Sequence, residues 1–177
     1  MNRKGFTLIE IIIVIVILSI TSAITIKFMV DSLRIYTMTV NQKTLFDEGK
    51  LALERMVRDI RDARSISRPF AGNSDNWIRF TRDNATAQDV AGETIDYQLT
   101  GTDLEKDKAS PNVTVILASN VSGFTVTRAT DDEITLLLTL SLATGERVTL
   151  QTKVYSKNLA DSTTYKNYFQ NWQESSS

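Results

Sequence analysis

Apolar and polar positions alternate with three different rhythms along this chain. From Ile11 to Leu18 every residue is apolar, and Ile20, Ala23, Ile24 and Ile26 extend the stretch. Arg3 and Lys4 precede it, Lys27, Asp31 and Arg34 follow it, and Glu10 is the one charge between those flanks. At ~1.5 Å per residue a helix from Phe6 to Ile26 measures roughly 31 Å, about the hydrocarbon thickness of a bilayer, so a single transmembrane helix is predicted. Arg3 and Lys4 keep its N-terminus in the cytoplasm, which exports everything beyond Lys27. A secretion signal that is cut away fits poorly: such signals have a ~7–15-residue apolar region ending at a small-residue site. This stretch is longer and runs on without Gly or Pro.

The second rhythm is helical. Met38 to about Ser67 contains no Pro and one Gly, Gly49. Phe46, Leu53, Met56 or Val57, Ile60 and Ala63 or Ile66 form one stripe at steps of three, four and seven. The other face carries Arg55, Arg58, Asp59, Arg61, Asp62 and Arg64, with Glu54–Arg58, Arg55–Asp59 and Arg58–Asp62 spaced as i,i+4 pairs of opposite sign. This predicts a solvated, self-paired face and a helix ending near Ser67, because Pro69 disfavours a helical residue before it. Joined to the apolar segment it makes one helix of roughly 90 Å, its second half packed on a sheet.

From Arg68 the rhythm becomes strand-like. Trp77–Thr81, Thr94–Leu99, Val113–Ala118, Phe124–Thr127 (after Gly123, read as a turn), Glu133–Leu142 and Glu146–Tyr155 are predicted strands. Ala143-Thr144-Gly145 closes a hairpin between the last two. The fold class is therefore α+β: a long N-terminal helix, transmembrane in its first half, packed on an antiparallel sheet of five to seven strands. The divisions are 1–5 leader, 6–30 membrane helix, 31–67 amphipathic helix, 68–158 β-rich domain and 159–177 tail.

Composition narrows the chemistry. There is no His and no Cys, which removes imidazole bases, thiolate nucleophiles, Cys/His zinc sites, iron–sulfur ligation and disulfides. Lys+Arg is 20 against Asp+Glu 21, so no basic excess exists to neutralise phosphates and no nucleic-acid partner is expected. With 7 glycines and no Gly-rich fingerprint, nucleotide binding is not expected either. No cofactor or catalytic pair emerges, and the chain does not read as an enzyme. Asp131-Asp132-Glu133 is the one acidic cluster; hard oxygen ligands would suit calcium, but consecutive acids diverge, and a turn before a strand is the simpler reading. Asn84-Ala85-Thr86 and Asn112-Val113-Thr114 match an N-glycosylation pattern too common to use. Tyr165, Tyr168, Phe169 and Trp172 fall at i, i+3, i+4 and i+7 in a polar tail, which either packs back on the domain or docks on another subunit. Ser175–Ser177 should fray.

Glu10 is the odd residue, since a carboxylate at membrane depth costs several kcal/mol unless paired or protonated. Arg3 and Lys4 lie one to two turns away, so either it sits in water at the interface or its partner is on another chain. Lys4-Gly5-Phe6-Thr7-Leu8-Ile9-Glu10 resembles the prepilin signature of type IV pilins and type II secretion pseudopilins. The resemblance implies that a prepilin peptidase and methyltransferase cuts after Gly5 and methylates the new N-terminal Phe6. It further implies that the helix becomes a filament core, in which Glu10 compensates the amine of a neighbouring subunit. Cutting there removes Arg3 and Lys4 and leaves a side-chain net charge of about −3. Ser19 and Ala23 form a small-xxx-small pair that permits close helix approach. Major pilins usually carry a helix-kinking Pro near the place of Lys27, which points away from a major subunit. Leu53–Arg61 (LERMVRDIR), Ala118–Val126 and the closing Val154–Asn158 are similar to minor pseudopilins of the J type and W-type minor pilins. That implies a minor subunit at or near the tip, helping to start assembly, with other pilin subunits, an inner-membrane assembly platform and lipid as partners. The alternative is a single-pass, inner-membrane-anchored binding domain that does not polymerise.

Overall fold

The computed structural model describes residue 5, residues 7–109 and residues 112–159. Arg3, Lys4, Phe6, the tail aromatics Tyr165, Tyr168, Phe169 and Trp172, and Ser175–Ser177 lie outside the described residues. Helix α1 runs from Leu8 to Arg61, 54 residues, and passes Lys27 without a break. The chain divides into two units, Met1–Asn41 and Gln42–Ser177.

In the first unit the helical side chains are open among the described residues: Leu8, Ile13, Leu18, Ile24 and Val30 are each half exposed or more. In the second unit α1 buries Leu45, Gly49, Ala52, Leu53, Met56, Asp59 and Ile60. The stripe thus runs one residue off the predicted one at its start, through Leu45, while Phe46 remains 45% exposed.

Among the described residues nine strands follow, two more than the upper expectation. β1 (Ala63–Arg68), β3 (Trp77–Arg82), β4 (Thr94–Thr100), β5 (Asp103–Ala109) and β6 (Asn112–Ala118) form one antiparallel sheet in the order β1-β3-β4-β5-β6. β2 (Asn73–Asp75), β7 (Val121–Arg128), β8 (Glu133–Ser141) and β9 (Arg147–Tyr155) form the other, in the order β2-β7-β8-β9. Ile78, Phe80, Ile95, Tyr97 and Leu104 from the first sheet share one core with Phe124, Val126, Ile134, Leu136, Leu138 and Leu140 from the second. The Arg128 guanidinium joins the sheets, donating to the Ile66 carbonyl at 2.9 Å and the Asp131 carbonyl at 2.8 Å. Its burial lowers its pKa, against the pull of Asp131.

The helix ends at Arg61, six residues short of the predicted Ser67, and residues 63–68 are strand. Two register shifts in the β1–β3 ladder explain the misreading: they leave Ala63 and Ile66 inward at a spacing of three, which mimics a helical step. Tertiary partners close the helix end, as Lys157 N–H donates to the Arg61 carbonyl (3.0 Å) and Ser156 Oγ to that of Ala63 (2.6 Å). Gly123 is likewise not a turn residue; it lies inside β7, at a register shift opposite Thr139. The predicted hairpin is present, with Gly145 at φ 105° and Ser141 facing Arg147.

Gly49 fixes how closely α1 approaches β8 and β9. A Cβ there would stand 2.7 Å from Leu140 Cδ1 and 2.8 Å from Leu150 Cδ1. Leu140 is fully buried, in an interior dense enough that an added carbon forces a shift. Gly49→Val should therefore destabilise the second unit by about 1–3 kcal/mol through overpacking. Urea denaturation followed by tryptophan fluorescence measures it, and an unchanged midpoint would remove Gly49 from this role.

Candidate functional site

Of the site residues the sequence predicts, Gly5 and Glu10 are described, and they lie at or just before the start of α1. Thr7 precedes the helix and its carbonyl accepts the Glu10 N–H at 3.1 Å and the Ile11 N–H at 3.3 Å. Glu10 sits in the first turn, exposed, where the helix dipole favours a negative charge by a few tenths of a kcal/mol. Thr7-Leu8-Ile9-Glu10 also has the spacing of a capping box, a local use for the carboxylate that its charge alone did not suggest. Gly5 stands in open space, with no atom within 4 Å of where a Cβ would be.

Beyond Glu10 the helix is long and apolar enough to cross a membrane, and none of that apolar window is buried within the chain. Three of its hydroxyls are turned inward. Ser19 Oγ donates to the Ile15 carbonyl (2.7 Å), Thr21 Oγ1 to Ile17 (2.9 Å) and Thr25 Oγ1 to Thr21 (2.8 Å). Polar groups satisfied by their own helix can enter hydrocarbon at low cost.

The predicted self-paired face of the second half is corrected by the structure. Asp59 is 6% exposed, and it pairs with Arg82 Nη1 and Lys106 Nζ, both at 2.8 Å, not with Arg55. Asp89, in the loop after β3, meets the same two cations at 2.9 and 2.8 Å and also Lys108. The Tyr97 hydroxyl donates to Asp59 Oδ2. Asp62 turns to Arg82 Nη2 (3.3 Å), Asn84 Nδ2 (2.7 Å) and Asn158 Nδ2 (3.0 Å), and Glu54 pairs with Lys50 at 3.8 Å. The result is a buried ion network tying α1 to β3, β4 and β5. Sequence reasoning missed it because its lysines lie in β5, whose Asp-Leu-Glu-Lys-Asp-Lys-Ala run looks like a solvated loop. The available signal was the alternation of Leu104, Lys106 and Lys108.

Asp131, Asp132 and Glu133 diverge. Asp131 faces Arg128, Asp132 accepts from Thr130 Oγ1 at 2.9 Å, and Glu133 opens β8 on Lys153 at 2.6 Å. That is the turn-before-strand arrangement. Among the described residues no carboxylates converge as a metal ion requires.

The network sets the pH limits of the fold. Burial acts to raise the Asp89 pKa, but hydrogen bonds from Lys106 and Lys108 outweigh it and hold it below the ordinary 3.8. Its stabilisation is complete above that value and is lost as pH falls through the lower native one. Burial first, and the Asp59 carboxylate second, push the Tyr97 phenol well above 10.0. Its stabilisation holds below pH 10.0 and is lost as pH rises toward the higher native value. Thermal melts from pH 2 to 12 should show a plateau with a fall at each end. Tyr97→Phe should flatten the alkaline fall while lowering the plateau by about 1–3 kcal/mol; an identical alkaline limb in that variant would rule out Tyr97 as its source.

Residues 1–26 match the prokaryotic N-terminal methylation motif. No curated protein and no solved structure matches the chain. The motif and the unburied apolar helix together fit a single-pass protein anchored in the inner membrane. The motif supports a type IV pilin-like protein, one of a class of structural subunits rather than enzymes.

Proposed function

We propose that this chain is a minor pilin or pseudopilin, a membrane-anchored subunit that polymerises through its N-terminal helix. The observation that carries the reading is the methylation motif over residues 1–26, on an apolar helix left unburied among the described residues. Prepilin peptidase hydrolyses the Gly5–Phe6 bond, and the amine freed on Phe6 is methylated. The processed subunit waits in the inner membrane, its exported domain outside and the apolar segment in lipid. An assembly platform then draws it into a bundle of like helices, where neighbouring subunits replace lipid around the same side chains.

Glu10 sets the register. Its carboxylate meets the Phe6 amine of an adjacent subunit, so that a charge costly in hydrocarbon is paired only at the correct axial offset. The placement at or near a tip rests on the likeness of Leu53–Arg61 and Ala118–Val126 to J-type and W-type minor subunits, and on Lys27 standing where a kinking proline is usual. The partners are other pilin-like subunits, the processing enzyme and the assembly platform, in a secretion pseudopilus or a type IV pilus.

Gly5→Ala and Glu10→Ala separate this from an anchored domain that does not polymerise. Among the described residues Gly5 stands in open space and Glu10 is exposed, so neither variant should perturb folding. Gly5→Ala should block processing, leaving the leader on by intact mass. Glu10→Ala should be processed and membrane-inserted yet absent from sheared filaments. Normal filaments from both variants would sink the proposal.

A further inference from the structure

A groove of about 760 Å³ runs along the second unit between the last four turns of α1 and β9. Its floor is apolar, made by Phe46, Leu53, Val57 and Leu150, and Lys50 and Arg58 stand among its rim. β9 is the outermost strand of its sheet, with β8 on one side. An apolar floor beside a sheet edge is a surface that folded proteins normally cover.

The chain itself leads into this groove. Lys157 and Asn158 line one end of it, held there by the Lys157 N–H to the Arg61 carbonyl (3.0 Å) and by Asn158 Nδ2 to Asp62 (3.0 Å). Leu159, the last described residue, packs against the core. Eighteen residues, 160–177, remain beyond that point, among them Tyr165, Tyr168, Phe169 and Trp172 at the spacing of one helical face. From Arg61 back to Phe46 the groove wall is ~22 Å long at 1.5 Å per residue. Residues 159–164 reach up to ~20 Å when extended, and 165–172 as a helix span ~10 Å, so the aromatic face can reach any part of the floor and cover about half its length. An amphipathic segment in an apolar groove is a recurrent mode of recognition.

We propose that the C-terminal segment of this same chain, residues 160–177, occupies the groove, with Tyr165, Tyr168, Phe169 and Trp172 packed on Phe46, Leu53, Val57 and Leu150. The segment then straps α1 to β9. It also covers apolar surface that would otherwise be open to a second copy or a different subunit. This assignment does not depend on whether the chain polymerises.

The absence of Cys allows a direct test on the full-length protein in detergent micelles. In a Glu54→Cys, Gln173→Cys double variant, oxidation should give a disulfide within one chain, monomeric by mass. Adding Phe169→Ser and Trp172→Ser should slow it on the order of tenfold or more, the loss expected when a docked segment becomes a free tether. In a Trp77→Phe background Trp172 is the sole tryptophan, and Phe46→Asp should shift its emission to the red. Disulfides found only between chains would assign the groove to a second copy and overturn the proposal. An unchanged rate in the serine variant, or emission indifferent to Phe46→Asp as for a tail dissolved in detergent, would overturn it too.

Discussion

Ile, Val and Leu side chains that fill the first turns of α1 must leave water, and nothing among the described residues covers them. Each is worth about 1.5–3 kcal/mol when fully buried, so a run of more than a dozen outweighs the whole folding stability of an ordinary domain. The helix is thus committed to an apolar surrounding, whether lipid or the flanks of similar helices. Both media accept the same surface, because neither demands hydrogen bonds from it. A segment of this kind can change environment without refolding, and the inward-turned hydroxyls of Ser19, Thr21 and Thr25 preserve that freedom.

The second unit solves a different problem. It must hold the end of a long helix against two sheets, and apolar contact by itself is tolerant of sliding and rotation. The ion network around Asp59 is directional. Arg82, Lys106 and Tyr97 arrive from three neighbouring strands and converge on one carboxylate. Removing one member of such a set typically costs ~3–5 kcal/mol, because a buried charge is left without a partner. Gly49 acts two to three turns earlier, where Leu140 and Leu150 touch the helix backbone region with no side chain between. Close approach at one end and polar convergence at the other define the seating of the helix.

How much of this was readable in advance depended on whether local pattern and tertiary role agreed. The N-terminal helix was legible because its pattern is uniform: one apolar run broken by one charge. β3, β4, β8 and β9 were legible because each keeps one face in and one face out over five or more residues. β1 was not, since two register shifts gave Ala63 and Ile66 a helical spacing. β5 was not, since Lys106 and Lys108 point inward and are compensated only by Asp59 and Asp89, which are remote in sequence. Asp59 itself was read as a surface charge, as an acid beside arginines on a helix ordinarily is. The polar residues were misplaced wherever their partners were far along the chain, and the apolar ones seldom were.

The inward hydroxyl bonds of α1 have a consequence for how such helices recognise one another. With those three donors spent on the helix's own carbonyls, the surface offered to a neighbour carries little directional information beyond the Ser22 hydroxyl. Contact between two such surfaces is nearly degenerate: many axial offsets and many rotations give similar dispersion energy. In the proposed assembly the Glu10 carboxylate would break that degeneracy, as one mark on a nearly blank ruler does. The smoother the rest of the surface, the more sharply the one charge selects a position, and the more readily the helix slides until it is found.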